Sequence, residues 1–183
     1  MLGIAAVVAA ALAATAVAQV PVPARPDGYR YMPLPNRSAP LQLHGYFDLT
    51  CPDCKDTWGP LKAALAEFKL GADRDPFAWM EAMFANQDKF WDEPTDNLTG
   101  TQVFELFGQV AEDAPGLRIP KDEFVAALKS RPVNLATRTT WKLGCANAVS
   151  STPTFFANGA RFAADDTWTK AQWVQFFNQV LSQ

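Results

Sequence analysis

Cys51 and Cys54 stand as C-P-D-C within DLTCPDCKDTW, residues 48–58. Two thiols at this spacing can run three kinds of chemistry. They can form and break a disulfide across one tight turn, supply half of a zinc shell, or close a static structural disulfide. The other residues suited to such chemistry are Cys145, the third and last cysteine, and His44, the sole histidine. Zinc would have to recruit both. His44 falls on the polar face of a predicted strand, so no metal is expected. No cofactor is expected either, since a dithiol carries its own electrons.

The elements around the motif bear on the choice. Leu41, Leu43, Gly45, Phe47 and Leu49 alternate with Gln42, His44, Tyr46 and Asp48, the period of two of a half-buried strand. After the first cysteine comes Pro52, suited to a first helical turn, and Trp58, Leu61, Leu65 and Phe68 then recur at helical spacing. Pro60 should kink that helix. A cysteine at a helix N-terminus has its thiolate stabilised by free amides and the helix dipole. Cys51 is thus the candidate nucleophile and Cys54, one turn inside, the candidate resolving thiol.

Beyond Phe68 the chain reads as helical to about residue 148. Asp75-Pro76 is a cap with a first-turn proline before Phe77, Met80, Met83 and Phe84; Thr99 with Gln102 is a capping box; 120–130 is a short amphipathic helix; and about 134–148 is another, with Cys145 in its last turn. The pattern then changes. Thr154-Phe155-Phe156 is a short strand, Asn158-Gly159 a hairpin turn, Arg161-Phe162 the returning strand. A last helix follows, with Thr169 and Gln172 as its capping box and Trp173, Phe176, Phe177, Val180 and Leu181 as its buried face. Cys145 reads as a small buried apolar residue or as a third thiol able to pair with Cys51.

FDLTCPDCKDTW followed by STPTFFANGARF resembles the DsbA-like branch of the thioredoxin-like superfamily, over about Leu41 to Leu181. The resemblance implies an α/β thioredoxin-like fold with a helical insert, at about 75–148. It also implies Cys51 as nucleophile, Cys54 as its partner, Pro153 in cis beside them, and Thr152 offering backbone hydrogen bonds to a substrate peptide. The chain departs from that pattern in three ways. Asp53 stands between the cysteines where strongly oxidising members carry His, and its negative charge works against a Cys51 thiolate, predicting a less oxidising couple. No acidic residue sits on the buried face of the strand before Cys51, so Cys54 has no obvious base. Finally, Phe68 is followed by KLGADRDPF, which holds no run of strand formers, so one central strand is expected to be missing or replaced. Losing it would expose the edge of the first strand.

Residues 1–18 read as a signal peptide: 2–18 carry no charge and end in Ala16-Val17-Ala18. A short Ala-rich membrane anchor is the alternative reading. Residues 19–40 hold six of the 14 prolines and read as an extended leader, leaving 41–183 as one domain. Asn36 and Asn97 lie in N-x-S/T sequons and would accept glycans in a eukaryotic secretory pathway. Against 16 Lys and Arg stand 19 Asp and Glu, a formal charge of −3 that disfavours nucleic-acid binding; no stable membrane insertion is expected. The sequence thus points to a protein of the secretory pathway or exterior (periplasm if bacterial) that exchanges disulfides with protein cysteines or small thiols. Two alternatives stand beside it. One is a redox-weak peptide-binding module with a structural disulfide; the other is a truncated, inactive relative.

Overall fold

The structure, a computed structural model, describes residues 40–67 and 77–183. The signal segment, the leader up to residue 39, the Asn36 sequon, the Asp75-Pro76 cap and the site of the expected missing strand, 68–76, lie outside the described residues. The chain is a mostly helical α/β protein with a small three-stranded antiparallel sheet. Its elements are β1 (Leu43–Tyr46), α1 (Pro52–Glu67), α2 (Ala78–Ala85), a 3-10 turn (Gln87–Phe90), α3 (Asp92–Thr95), α4 (Gly100–Asp113), α5 (Lys121–Lys129), α6 (Arg131–Ala146), β2 (Thr154–Ala157), β3 (Ala160–Phe162) and α7 (Lys170–Leu181).

Local signals account for most of these boundaries. Both Thr–Gln capping boxes form, Thr99 with Gln102 on α4 and Thr169 with Gln172 on α7. Asn158 and Gly159 both take positive φ, 49° and 83°, as the two-residue hairpin between β2 and β3 requires. Asn158 also ties down the approach to β1. Its Nδ2 donates to the Pro40 carbonyl at 3.1 Å, and its Oδ1 accepts from the Gln42 amide at 2.8 Å. Pro60 lies inside α1, which is assigned as one continuous helix through it. Helix α6 starts three residues earlier than the spacing predicts, because Ser130 caps it and Pro132 sits in its first turn.

The sheet order is β1-β2-β3, with Leu43 opposite Ala157 and Tyr46 opposite Thr154. The second edge of β1 pairs with none of the described residues. Helices α1 and α7 pack on one sheet face, where Cys54, Trp58, Leu61, Ala64, Phe84, Phe155, Trp173 and Phe177 form the core. Leu181, expected within the buried face of α7, is exposed near the end of that helix. On the other sheet face Tyr46 meets Phe156 edge-on, and Asn147, just past α6, donates to the Tyr46 hydroxyl at 3.1 Å. The insert builds its own aromatic cluster from Trp79, Phe90, Phe107 and Phe124. It is held to α1 through Glu81, which accepts from Trp58 Nε1 at 3.2 Å and pairs with Lys62.

Gly45 is required by close approach. A Cβ there would lie 2.6 Å from the Phe47 ring and 3.1 Å from Phe155. Phe47 cannot swing away freely, because it stands edge-on to both Trp58 and Phe155. Replacing Gly45 by Val forces β1 off the core and should cost about 1–3 kcal/mol of folding stability, the usual price of overpacking. Urea denaturation of the variant against the parent chain checks this; an unchanged midpoint would show that Phe47 has room to move.

Candidate functional site

The stretch between β1 and α1 is folded by its own side chains. Asp48 Oδ1 accepts from the Thr50 amide and hydroxyl, both at 2.8 Å, and the Cys51 amide donates to the Asp48 carbonyl at 3.2 Å. These bonds turn the chain into α1 at Pro52, whose missing amide costs nothing in the first turn. Cys51 therefore sits just before the helix, half-buried, and Cys54 lies one turn inside, fully buried. All three cysteines are free thiols.

The far side of the site comes from the hairpin. The Thr152–Pro153 peptide is cis, and the Cys51 thiol donates to the Thr152 carbonyl at 3.4 Å across 101 residues of sequence. Thr152 touches both sulfurs, since its side chain also hydrogen-bonds with Cys54. The Asp48 amide donates to Cys54 Sγ at 3.3 Å. The structure thus brings together four residues singled out in the sequence: Cys51, Cys54, Thr152 and Pro153.

Burial pushes the Cys54 thiol up to about 12, against the downward pull of the Asp48 amide and the Thr152 side chain. The neighbouring Cys51 adds to the rise, through its charge and its hydrogen bond. Among the described residues no carboxylate side chain acts on Cys54, and that of Asp48 is engaged by Thr50. On the open side, Asp53 is exposed, and its charge reaches the loop after β3. There Asp166 is raised above its ordinary range, chiefly by its hydrogen bond with Asp165 and in smaller part by Asp53. The motif therefore opens onto an acidic rim.

Two residues of the site carry no pattern in the sequence. Gln87, in the 3-10 turn of the insert and 1% exposed, donates through Nε2 to the Cys51 carbonyl at 2.8 Å and to the Leu49 carbonyl at 3.3 Å. Trp91 Nε1 donates to the Thr50 carbonyl at 3.2 Å, with the ring 45% exposed. Gln87 is one of four consecutive polar residues, 86–89, between Phe84 and Phe90, and the sequence does not distinguish it from the others.

Cys145 is a correction to the reading of a small buried residue. It lies in the last turn of α6, a helix in which Gly144 is the one buried residue, and it is exposed. Nor is it among the groups that act on Cys54. Asn97 is exposed ahead of α4. Among the described residues no group of three or more His, Cys, Asp or Glu is arranged to hold a metal ion, and no helix is long and apolar enough to cross a membrane.

The Cys54 shift has a stability consequence of definite sign. Its folded-state value is raised from 9.0 to about 12, so the folded chain holds this proton more tightly than the unfolded one. The reduced protein keeps the associated stability below pH 9 and loses it as pH climbs toward about 12. Urea denaturation of the reduced chain across that window should show this loss. Cys54→Ala should remove a slope of at most about 1.4 kcal/mol per pH unit. Equal slopes in parent and variant would mean that the thiol ionises normally.

A scan against protein-family models, a search of curated proteins and a search of solved structures each returned no match to this chain.

Proposed function

We propose that the chain is a thioredoxin-like thiol-disulfide oxidoreductase of the DsbA-like kind, acting on cysteines of secretory proteins. One observation carries the reading: the Cys51 thiol at a helix start meets the carbonyl before a cis-proline, at 3.4 Å. A C-x-x-C at a strand-to-helix junction is common to several chemistries. A hairpin strand whose first carbonyl faces the outer sulfur is what peptide-level disulfide exchange needs, because it sets an extended substrate beside the nucleophile.

The exchange runs in two displacements. The Cys51 thiolate attacks one sulfur of a substrate disulfide; the Cys51–substrate S–S bond forms as the substrate S–S bond breaks, and the second substrate sulfur leaves as a thiolate. Cys54, having lost its proton, then attacks Cys51 Sγ. The Cys51–Cys54 bond forms, the mixed disulfide breaks, and the remaining substrate sulfur leaves as a thiolate. The substrate disulfide is reduced to two thiols and the protein dithiol is oxidised; the reverse sequence oxidises a substrate.

Two features of the site fit that order of events. In the mixed disulfide Cys51 has no S–H, so the Thr152 carbonyl is released to accept a substrate amide. The charge and hydrogen bond of Cys51 that help to raise Cys54 also disappear, which brings Cys54 closer to ionising when it is needed. Asp53, standing between the cysteines, favours a couple less oxidising than the roughly −120 mV of the strongest periplasmic oxidant. The burial of Cys54 favours the second reading, a peptide-binding module with a structural disulfide, because a thiol near 12 resolves slowly at neutral pH.

Turnover of a disulfide-bonded peptide with glutathione as the electron source separates the two. The exchange reading expects turnover in the parent chain and none in Cys51→Ser. It also expects Cys54→Ser to accumulate a mixed disulfide visible by mass spectrometry, and a reduction potential near the secretory poise of roughly −180 to −210 mV. Absence of turnover, with a potential far below that range, would instead support the binding module.

A further inference from the structure

The carbonyls of Leu49, Thr50 and Cys51 are three in a row, and each accepts a hydrogen bond from a side chain of the insert: Gln87 to Leu49 and Cys51, Trp91 to Thr50. This stretch lies between the end of β1 at Tyr46 and the start of α1 at Pro52, where no strand ladder supplies donors. The intrahelical donor reaching Cys51 is the Lys55 amide, at a long 3.4 Å, against 2.8 Å for Gln87. Among the described residues, then, the insert orients the peptide planes on which the nucleophile is mounted.

We propose that Gln87 and Trp91 are positioning residues that set the nucleophilicity of Cys51, so that the insert tunes the reactive thiol as well as covering the domain. The inference rests on the exchange reading for its purpose, though not for its geometry. Two effects act together. The bonds fix the backbone of residue 51 and so hold its sulfur at the Thr152 carbonyl. They also place the positive ends of two N–H dipoles against the backbone just before and at the sulfur-bearing residue. Gln87 does so in a water-excluded position, where a dipole acts with little screening. Negative charge on Cys51 Sγ is favoured by this arrangement.

The test follows the rate of iodoacetamide alkylation of Cys51 in the reduced full chain against pH, resolved by peptide mass spectrometry. Cys145, exposed and party to none of these hydrogen bonds, serves as internal reference. Gln87→Leu removes both bonds of the buried amide, while Trp91→Phe keeps an aromatic ring and loses the donor. Each variant should slow Cys51 alkylation about 3- to 10-fold near neutral pH, the factor for one lost hydrogen bond, and move the midpoint of its pH profile upward. Cys145 should be unaffected. Because Gln87 is buried, circular dichroism checks that its variant folds; if it does not, Trp91→Phe at the half-exposed site decides. A Cys51 profile unchanged in the folded variants overturns the proposal. A shifted profile in a chain that turns over no disulfide would sink the exchange reading and leave the positioning role standing.

Discussion

The antiparallel register of β1 against β2 is the constraint on which the rest of the site depends. With Tyr46 opposite Thr154, the chain leaving β1 and the chain arriving at β2 emerge from the same end of the sheet. Residue 51 and residue 152 are then placed at that end together, although 101 residues separate them in sequence. A slip of one residue would turn either Phe47 or Phe155 away from the α1–α7 core and carry Thr152 off the sulfur. The hydrophobic pattern that buries one face of the sheet is thus also what aligns the chemistry. Gly45, the one position of β1 too crowded for a side chain, lies inside that alignment.

What could be read from the sequence was what local physics decides. The Asn158-Gly159 turn and the two Thr–Gln boxes are short-range signals, and each forms as the residues require, whereas the alternation from Leu41 to Leu49 yields a strand over Leu43–Tyr46 alone. The cysteine pair at a helix start was legible for the same reason. Gln87 was not, because its role depends on two carbonyls, those of Leu49 and Cys51, reached only after the insert has folded. The 3-10 turn and α3 were missed too, both being single turns too short to show a period. The exposure of Cys145 escaped because spacing reveals that a helix has faces, but not whether anything packs against them. Whether 68–76 carry a further strand lies outside what the described residues address.

Burial of Cys54 serves two ends that pull against each other. The thiol fills part of the core between α1 and the sheet, and the same exclusion of water that makes it good packing makes it a poor acid. The Asp48 amide and the Thr152 side chain offset only part of that penalty. A site of this kind keeps its inner sulfur quiet while the outer one is free. On the exchange reading it makes the inner sulfur available once the outer one is bonded, which is a logic of sequence in time rather than of two equivalent thiols.

Around the outer sulfur two influences oppose each other. On the proposed reading the acidic rim of Asp53, Asp165 and Asp166 opposes the approach of negative groups, whereas the donors from Gln87 and Trp91 act on the backbone that carries the sulfur. Their weights are unequal. Asp53 and Asp165 are solvent-exposed, so water and salt screen what they contribute, while Gln87 is buried and acts on the backbone of residue 51 itself. At low ionic strength the rim counts most; as salt rises its share fades and that of the buried amide persists. On the exchange reading the carboxylates govern which charged peptides approach, and the insert governs how the thiol behaves once they arrive.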